Sequence, residues 1–185
     1  MWAIKRSYFL VAAFILQASC DNNKVCEMKE WTECQFASSC ICKNIHDSEE
    51  LVADCSNKNL LRIPRLQNNL QDLSLQNNAI STIQDGIFEG NYLLKFLDLS
   101  FNRLSKIRKK TFKGLKNLLS LDLSANNLKY EKMSFESSAF HVLENLQILN
   151  MKNNFHTFIL ARFMETSDIR ITVNRLCIGQ NCSSF

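Results

Sequence analysis

One phrase recurs along this chain at near-constant spacing: apolar-x-x-apolar-x-apolar-x-x-Asn. It reads Leu70, Leu73, Leu75, Asn78, then Leu94, Leu97, Leu99, Asn102. It returns as Leu118, Leu121, Leu123, Asn126 and as Leu146, Leu149, Met151, Asn154. Successive copies begin 24, 24 and 28 residues apart. A period of that length sets out a solenoid, because a single unit buries its apolar side only against its neighbours. The functional question therefore shifts from a deep active site to the surface that the stacked units present.

The residue types follow from what one coil needs. The apolar-x-apolar alternation predicts a short strand with one face buried. The Asn amide both donates and accepts, so it satisfies backbone groups that the turn leaves unpaired. Asn78, Asn102, Asn126 and Asn154 should run as a ladder through adjacent coils. Two residues after the first three of these lies an apolar residue (Ile80, Leu104, Leu128), whereas the fourth copy has Phe155 and His156 there. Phe88, Phe112, Phe140 and Phe163 follow the same asparagines by 10, 10, 14 and 9 residues and read as an aromatic spine behind the strands. The extra residues of the third unit, within Lys129–Ser138, should bulge on the convex side. Thr166, Ile169, Ile171, Asn174 and Leu176 form a degenerate fifth copy.

The phrase resembles the leucine-rich repeat. That resemblance implies an α/β solenoid: a short curved coil stack with a parallel sheet on its concave face and a disulfide-bonded N-terminal cap. The expected organisation is a signal peptide at 1–20, a cysteine-rich cap at 21–58, repeats at 59–176 and a tail at 177–185.

Compartment is read from the start of the chain. Lys5 and Arg6 precede an apolar run from Tyr8 to Leu16, followed by the small residues Ala18 and Ser19. This is the three-part plan of a secretory signal, and the run is shorter than the roughly 20 residues a bilayer requires. No later segment is apolar enough to span, and no lipid-anchor tail is evident. The mature chain is thus expected to be secreted and extracellular, with no membrane span after signal cleavage. Removing Lys5 and Arg6 takes the formal charge from +4 to +2, which selects no partner class.

Eight cysteines in a secreted chain point to disulfides. Cys34, Cys40, Cys42 and Cys55 form a C-x5-C-x-C-x12-C cluster ahead of the repeats. Its C-x-C spacing and oxidising compartment argue against zinc, and spacing alone leaves three pairings open. The cluster resembles the N-terminal cap of extracellular leucine-rich repeat proteins, and Cys55 to Pro64 resembles the family's cap-to-repeat junction. The resemblance implies Cys34–Cys42 and Cys40–Cys55. Cys177 and Cys182 are expected to close a small terminal loop, while the pairing of Cys20 and Cys26 stays open. Asn181-Cys182-Ser183 is a formal but weak glycosylation sequon. The family's cysteine-rich C-terminal cap pattern is absent, so the short tail or a partner covers the last coil.

Over residues 34–176 the chain resembles the N-terminal part of a Toll-like receptor ectodomain: a cap cluster, 24-residue units, a Phe spine and variable unit length. Small leucine-rich proteoglycans and neuronal guidance proteins share most of these marks. The Toll class adds a membrane span and a signalling domain, and this sequence carries neither. The resemblance implies a recognition module without its own signalling domain, binding a protein or microbial ligand, with a role in innate immunity. The alternatives are a matrix or adhesion protein of the small-proteoglycan type and a sulfated-glycan binder.

Strand positions between the buried leucines should face the concave side. They form one column of Ser74, Asp98, Asp122 and Asn150, continued by Arg170, and a second of Asp72, Phe96, Ser120 and Ile148. Gln76, Ser100, Ser124, Lys152 and Thr172 lie two positions beyond the first column. Phe96 and Ile148 are apolar on an otherwise polar face, a pattern common among interface anchors. Asp-Leu-Ser is also ordinary repeat consensus. A separate basic stretch holds Arg103, Lys106, Arg108, Lys109, Lys110, Lys113 and Lys116 with no acid among them. It returns from one strand to the next, so it should lie on the convex or lateral surface, where it would hold sulfated glycan or headgroups by charge. No nucleic acid is expected, since aromatic interleaving for base stacking is missing. A dimer or a larger receptor partner is expected because few coils make a small face.

Catalysis finds little support. His46, His141 and His156 lie in unrelated segments, and H-E-x-x-H, G-x-S-x-G and a Gly-rich phosphate loop are all absent. The chain is expected to be a binding protein, with no cofactor or metal.

Overall fold

The computed structural model describes residues 31–45, 49–128, 139–154 and 170–172, the last by backbone only. The expected signal peptide, Cys20, Cys26, the Lys129–Ser138 bulge, Phe163, the Cys177–Cys182 loop and Asn181 lie outside the described residues. The described strands form one eight-stranded sheet in sequence order. They are β1 (Thr32–Cys34), β2 (Ala37–Asn44), β3 (Leu51–Asp54), β4 (Leu70–Ser74), β5 (Phe96–Asp98), β6 (Ser120–Asp122), β7 (Ile148–Asn150) and β8 (Arg170–Thr172).

Strands β1, β2 and β3 pair antiparallel, and every pair from β3 to β8 is parallel. The register follows the repeat. Leu73, Leu97, Leu121, Leu149 and Ile171 are successive partners across the sheet. Since side-chain direction alternates along a strand, this alignment sends every leucine of the row into the core together. Leu70, Leu73, Leu75, Leu94, Leu99, Leu118, Leu121 and Leu123 are each fully buried. The degenerate fifth copy supplies β8.

Behind the sheet the chain returns through successive turns at 85–90 and 109–114, so the layer opposite the strands in those coils is built of turns rather than helix. Phe88 and Phe112 are fully buried there, and the Phe112 and Phe140 rings lie 5.5 Å apart and tilted by 48°. Two coils pass so closely at Gly114 that a Cβ would lie 2.4 Å from the Phe88 carbonyl oxygen, on a backbone with φ of +102°. Only glycine meets both demands.

The asparagine ladder is continuous. Asn102 Nδ2 donates to the carbonyls of Leu75 (2.9 Å), Leu99 (3.2 Å) and Ser100 (3.2 Å), and its Oδ1 accepts the Ile80 N–H at 3.0 Å. Each such side chain ties its own turn to the coil before it. Asn126 repeats the pattern with Leu99 and Leu104, and Asn154 with Leu123 and Leu128. Asn78 makes the same contacts with cap residues, bonding the Cys55 carbonyl and the N–H groups of Lys58 and Leu60. A second series, Asn91, Asn117 and Asn145, donates on the opposite flank to the carbonyls of Gln67, Tyr92 and Lys116.

In the cap, Cys34 bonds Cys42 and Cys40 bonds Cys55, the two pairings the resemblance implied. All four are buried in the same hydrophobic cluster as the repeats. The cap hairpin thus covers the apolar end that the first coil would otherwise expose.

Candidate binding face

Two rows of side chains line the sheet face away from the core. Strand register places Val52, Asp72, Phe96, Ser120 and Ile148 in the first, and Asp54, Ser74, Asp98, Asp122 and Asn150 in the second. The candidate residues of neighbouring coils are therefore brought side by side. Their accessibility differs. Phe96 is 39% exposed, while Asp72, Asp98, Ser120, Asp122, Ile148 and Asn150 are partly buried.

Ser74, one of the ligand-facing candidates, is only 1% exposed. Its strand partners on either side are Asp54 and Asp98, both with longer side chains. Ser100 and Ser124 are buried as well, so the edge beyond the rows is narrower than strand alternation suggests. Gln76 Nε2 covers Ser100, donating to its Oγ at 3.2 Å.

The Asp-x-Ser pattern has a structural cause. The carboxylates of Asp54, Asp98 and Asp122 each accept the N–H two residues on, from Ser56, Ser100 and Ser124, at 2.8 Å. This is the Asx bond that turns a chain out of regular structure. Asn150 does the same for Lys152 at 3.2 Å while its Nδ2 donates to Asp122 Oδ2 at 2.8 Å. An amide therefore replaces the carboxylate at this position without loss of the turn.

Stacked carboxylates also repel. Burial, then the charges of Asp98 and Asp54, push the Asp72 carboxyl up to about 7 against the opposing bond from the Leu73 N–H. The sequence held no local sign of this, because two of the three acids come from other coils.

The residue before each ladder asparagine has left-handed backbone: Asn77, Phe101, Ala125 and Asn153, with φ of 53° to 58°. Asparagine tolerates that region and bulky side chains do not. Phe101 nevertheless occupies it and is 43% exposed. Its N–H donates to the Ser124 carbonyl at 2.9 Å, so the backbone there remains fixed to the next coil. Phe101→Asn is expected to raise stability by about 1 kcal/mol in denaturant titration; a loss of stability would show that the ring contributes more packing than its exposure suggests.

The basic stretch runs from just after Asn102 into the turn at 109–114, where Thr111, Phe112 and nearby Leu115 are buried between its cations. Arg103, Lys106, Arg108, Lys109, Lys110, Lys113 and Lys116 are all exposed. Lys113 pairs with Glu89 at 3.0 Å, both half in solvent, a contact of little energetic weight. An open polar groove on the flank, lined by Glu49, Arg65, Asn69, Asp85 and Glu89, was not foreseen from sequence. No group of His, Cys, Asp or Glu among the described residues could hold a metal ion. No helix among them is long and apolar enough to cross a membrane.

A parallel strand, a ladder asparagine and a returning arc, stacked at a spacing of 24 to 28 residues on a disulfide-bonded cap, form a leucine-rich repeat coil stack. Residues 68–128 match the family model described as leucine rich repeat. Among solved structures, a crystal structure of a TLR13–ssRNA13 complex is similar, with 23% identity and a TM-score of 0.48. That similarity covers 61% of this chain and 19% of the TLR13 chain, so the protein spans about a fifth of its length. No curated protein matches the sequence.

Proposed function

We propose that this protein is a secreted recognition module that binds a protein or microbial ligand through its concave face, in the service of innate defence. The observation that supports this most is Phe96, an exposed aromatic on a polar strand row whose neighbours are held in fixed register. A rigid row with an aromatic at its centre suits an interface, where such residues carry much of the binding energy. The two cap disulfides suit the oxidising exterior of the cell. The same fold class houses binding modules, so the protein is read as a binder and not an enzyme.

The test is capture of partners from extracellular fluid and cell surfaces by the mature protein. A folded variant carrying Phe96→Arg, Asp98→Asn and Asp122→Asn would run beside it. Loss of the captured partner in the variant is expected; equal capture would remove the concave face from consideration. A second reading has its own observation, since all seven cations of the basic stretch are exposed. In that reading they hold a sulfated glycan, and Lys109→Glu with Lys110→Glu would abolish capture while the concave variant would not. A small-proteoglycan role lacks the Ser-Gly attachment dipeptide.

A further inference from the structure

We propose that the face around β5 docks a basic segment of a partner protein. Its apolar side chains would meet Phe96 and Phe101, and its Lys or Arg groups would meet Asp98 and Asp122. This rests on the concave-face reading above and names the chemistry of the occupant.

The coil built on β5 presents two exposed aromatics five residues apart, Phe96 at 39% and Phe101 at 43%, with Asp98 between them. Phe101 holds a left-handed backbone that asparagine fills in two other coils. A strained residue that buries little of itself contributes less to the fold than a smaller one would, which points to a role at the surface. The strain and the exposure thus single out the same coil that carries Phe96.

Charge selects the partner. The rows of β3 to β6 carry Asp54, Asp72, Asp98 and Asp122. Cations of the same face stand at its ends, with Lys43 opposite Val52 on the cap and Lys152 beyond β7. The chain as a whole is positive, so the acidic rows are a local segregation of charge. A negative row repels acidic partners and raises the local concentration of basic ones. Aromatic rings beside carboxylates suit Arg and Lys in particular, since their stems pack on apolar surface and their heads interact with ring faces.

The test is fluorescence anisotropy at about 0.15 M salt with the mature chain. The probes are a short labelled peptide alternating Leu and Arg and its counterpart with Glu for Arg. The Arg peptide is expected to bind at least about tenfold more tightly. Phe101→Asn should weaken it by about tenfold while leaving the chain at least as stable, so unfolding cannot explain the loss. Asp98→Asn with Asp122→Asn, which keeps the turn as Asn150 does, should weaken binding and flatten its salt dependence. Equal binding of the two peptides, binding of neither, or Arg-peptide binding indifferent to both variants would overturn the proposal. Binding that ignores peptide charge yet disappears in Phe96→Arg would overturn the basic partner and leave the concave face standing. Protein capture indifferent to Phe96→Arg would remove both.

Discussion

Asn102→Ala is expected to destabilise the protein by about 3–5 kcal/mol, read as a shift of the urea midpoint against the exposed control Asn127→Ala. The side chain is 7% exposed and spans two coils. Its loss strands the Ile80 N–H and withdraws a donor shared by the carbonyls of Leu75, Leu99 and Ser100. Each buried polar group left without a partner costs about 1–3 kcal/mol, and the alanine methyl offers these groups no partner. Because a solenoid is held by nearest-neighbour contacts, the loss falls on one coil interface and should also broaden the transition. A shift equivalent to less than about 1 kcal/mol would mean that water enters and takes over the bonds.

Asp72→Asn is expected to stabilise the chain at pH 8 and to change little at pH 4. Burial and the neighbouring acids push the folded carboxyl from its ordinary 3.8 up to about 7, so the folded state holds the proton more tightly than the unfolded state. Between those values the native protein binds more protons, and stability therefore falls as pH rises. The slope reaches about 1.4 kcal/mol per pH unit, and the loss is complete above about 7. Asparagine has no proton to lose and is free of the repulsion from Asp54 and Asp98. The gain over wild type should grow from near zero at pH 4 to on the order of 4 kcal/mol at pH 8. Equal pH profiles for the two proteins would show that Asp72 titrates as an ordinary carboxylate.

The coil stack was legible because the repeat encodes it several times over. Each Leu-x-x-Leu-x-Leu phrase names its strand, and each asparagine names the turn that follows. The cap pairings were legible by resemblance and not by spacing. What escaped the sequence depends on neighbours in space. Ser74 has the alternation of a surface residue and is buried between strands that place Asp54 and Asp98 beside it. The raised titration of Asp72 comes from burial, then from Asp98 and Asp54 on the neighbouring strands, 26 and 18 positions away. The left-handed position ahead of the ladder was hidden because Phe101 and Ala125 occupy it beside Asn77 and Asn153, so residue type carried no consistent signal. The Asx bonds of Asp98 and Asp122 gave the Asp-Leu-Ser consensus a structural reason, which lowers its weight as a sign of binding.

The reversal of direction between β2 and β3 has a consequence for how such a chain can lengthen over generations. A duplicated 24-residue unit inserted between Leu94 and Leu118 would find a parallel strand on each side and an asparagine rung above and below. The same unit inserted ahead of β3 would meet a strand running the other way and a disulfide knot with no rung to offer. Added units therefore fit the interior of the stack, where both neighbours run parallel, and not the cap end.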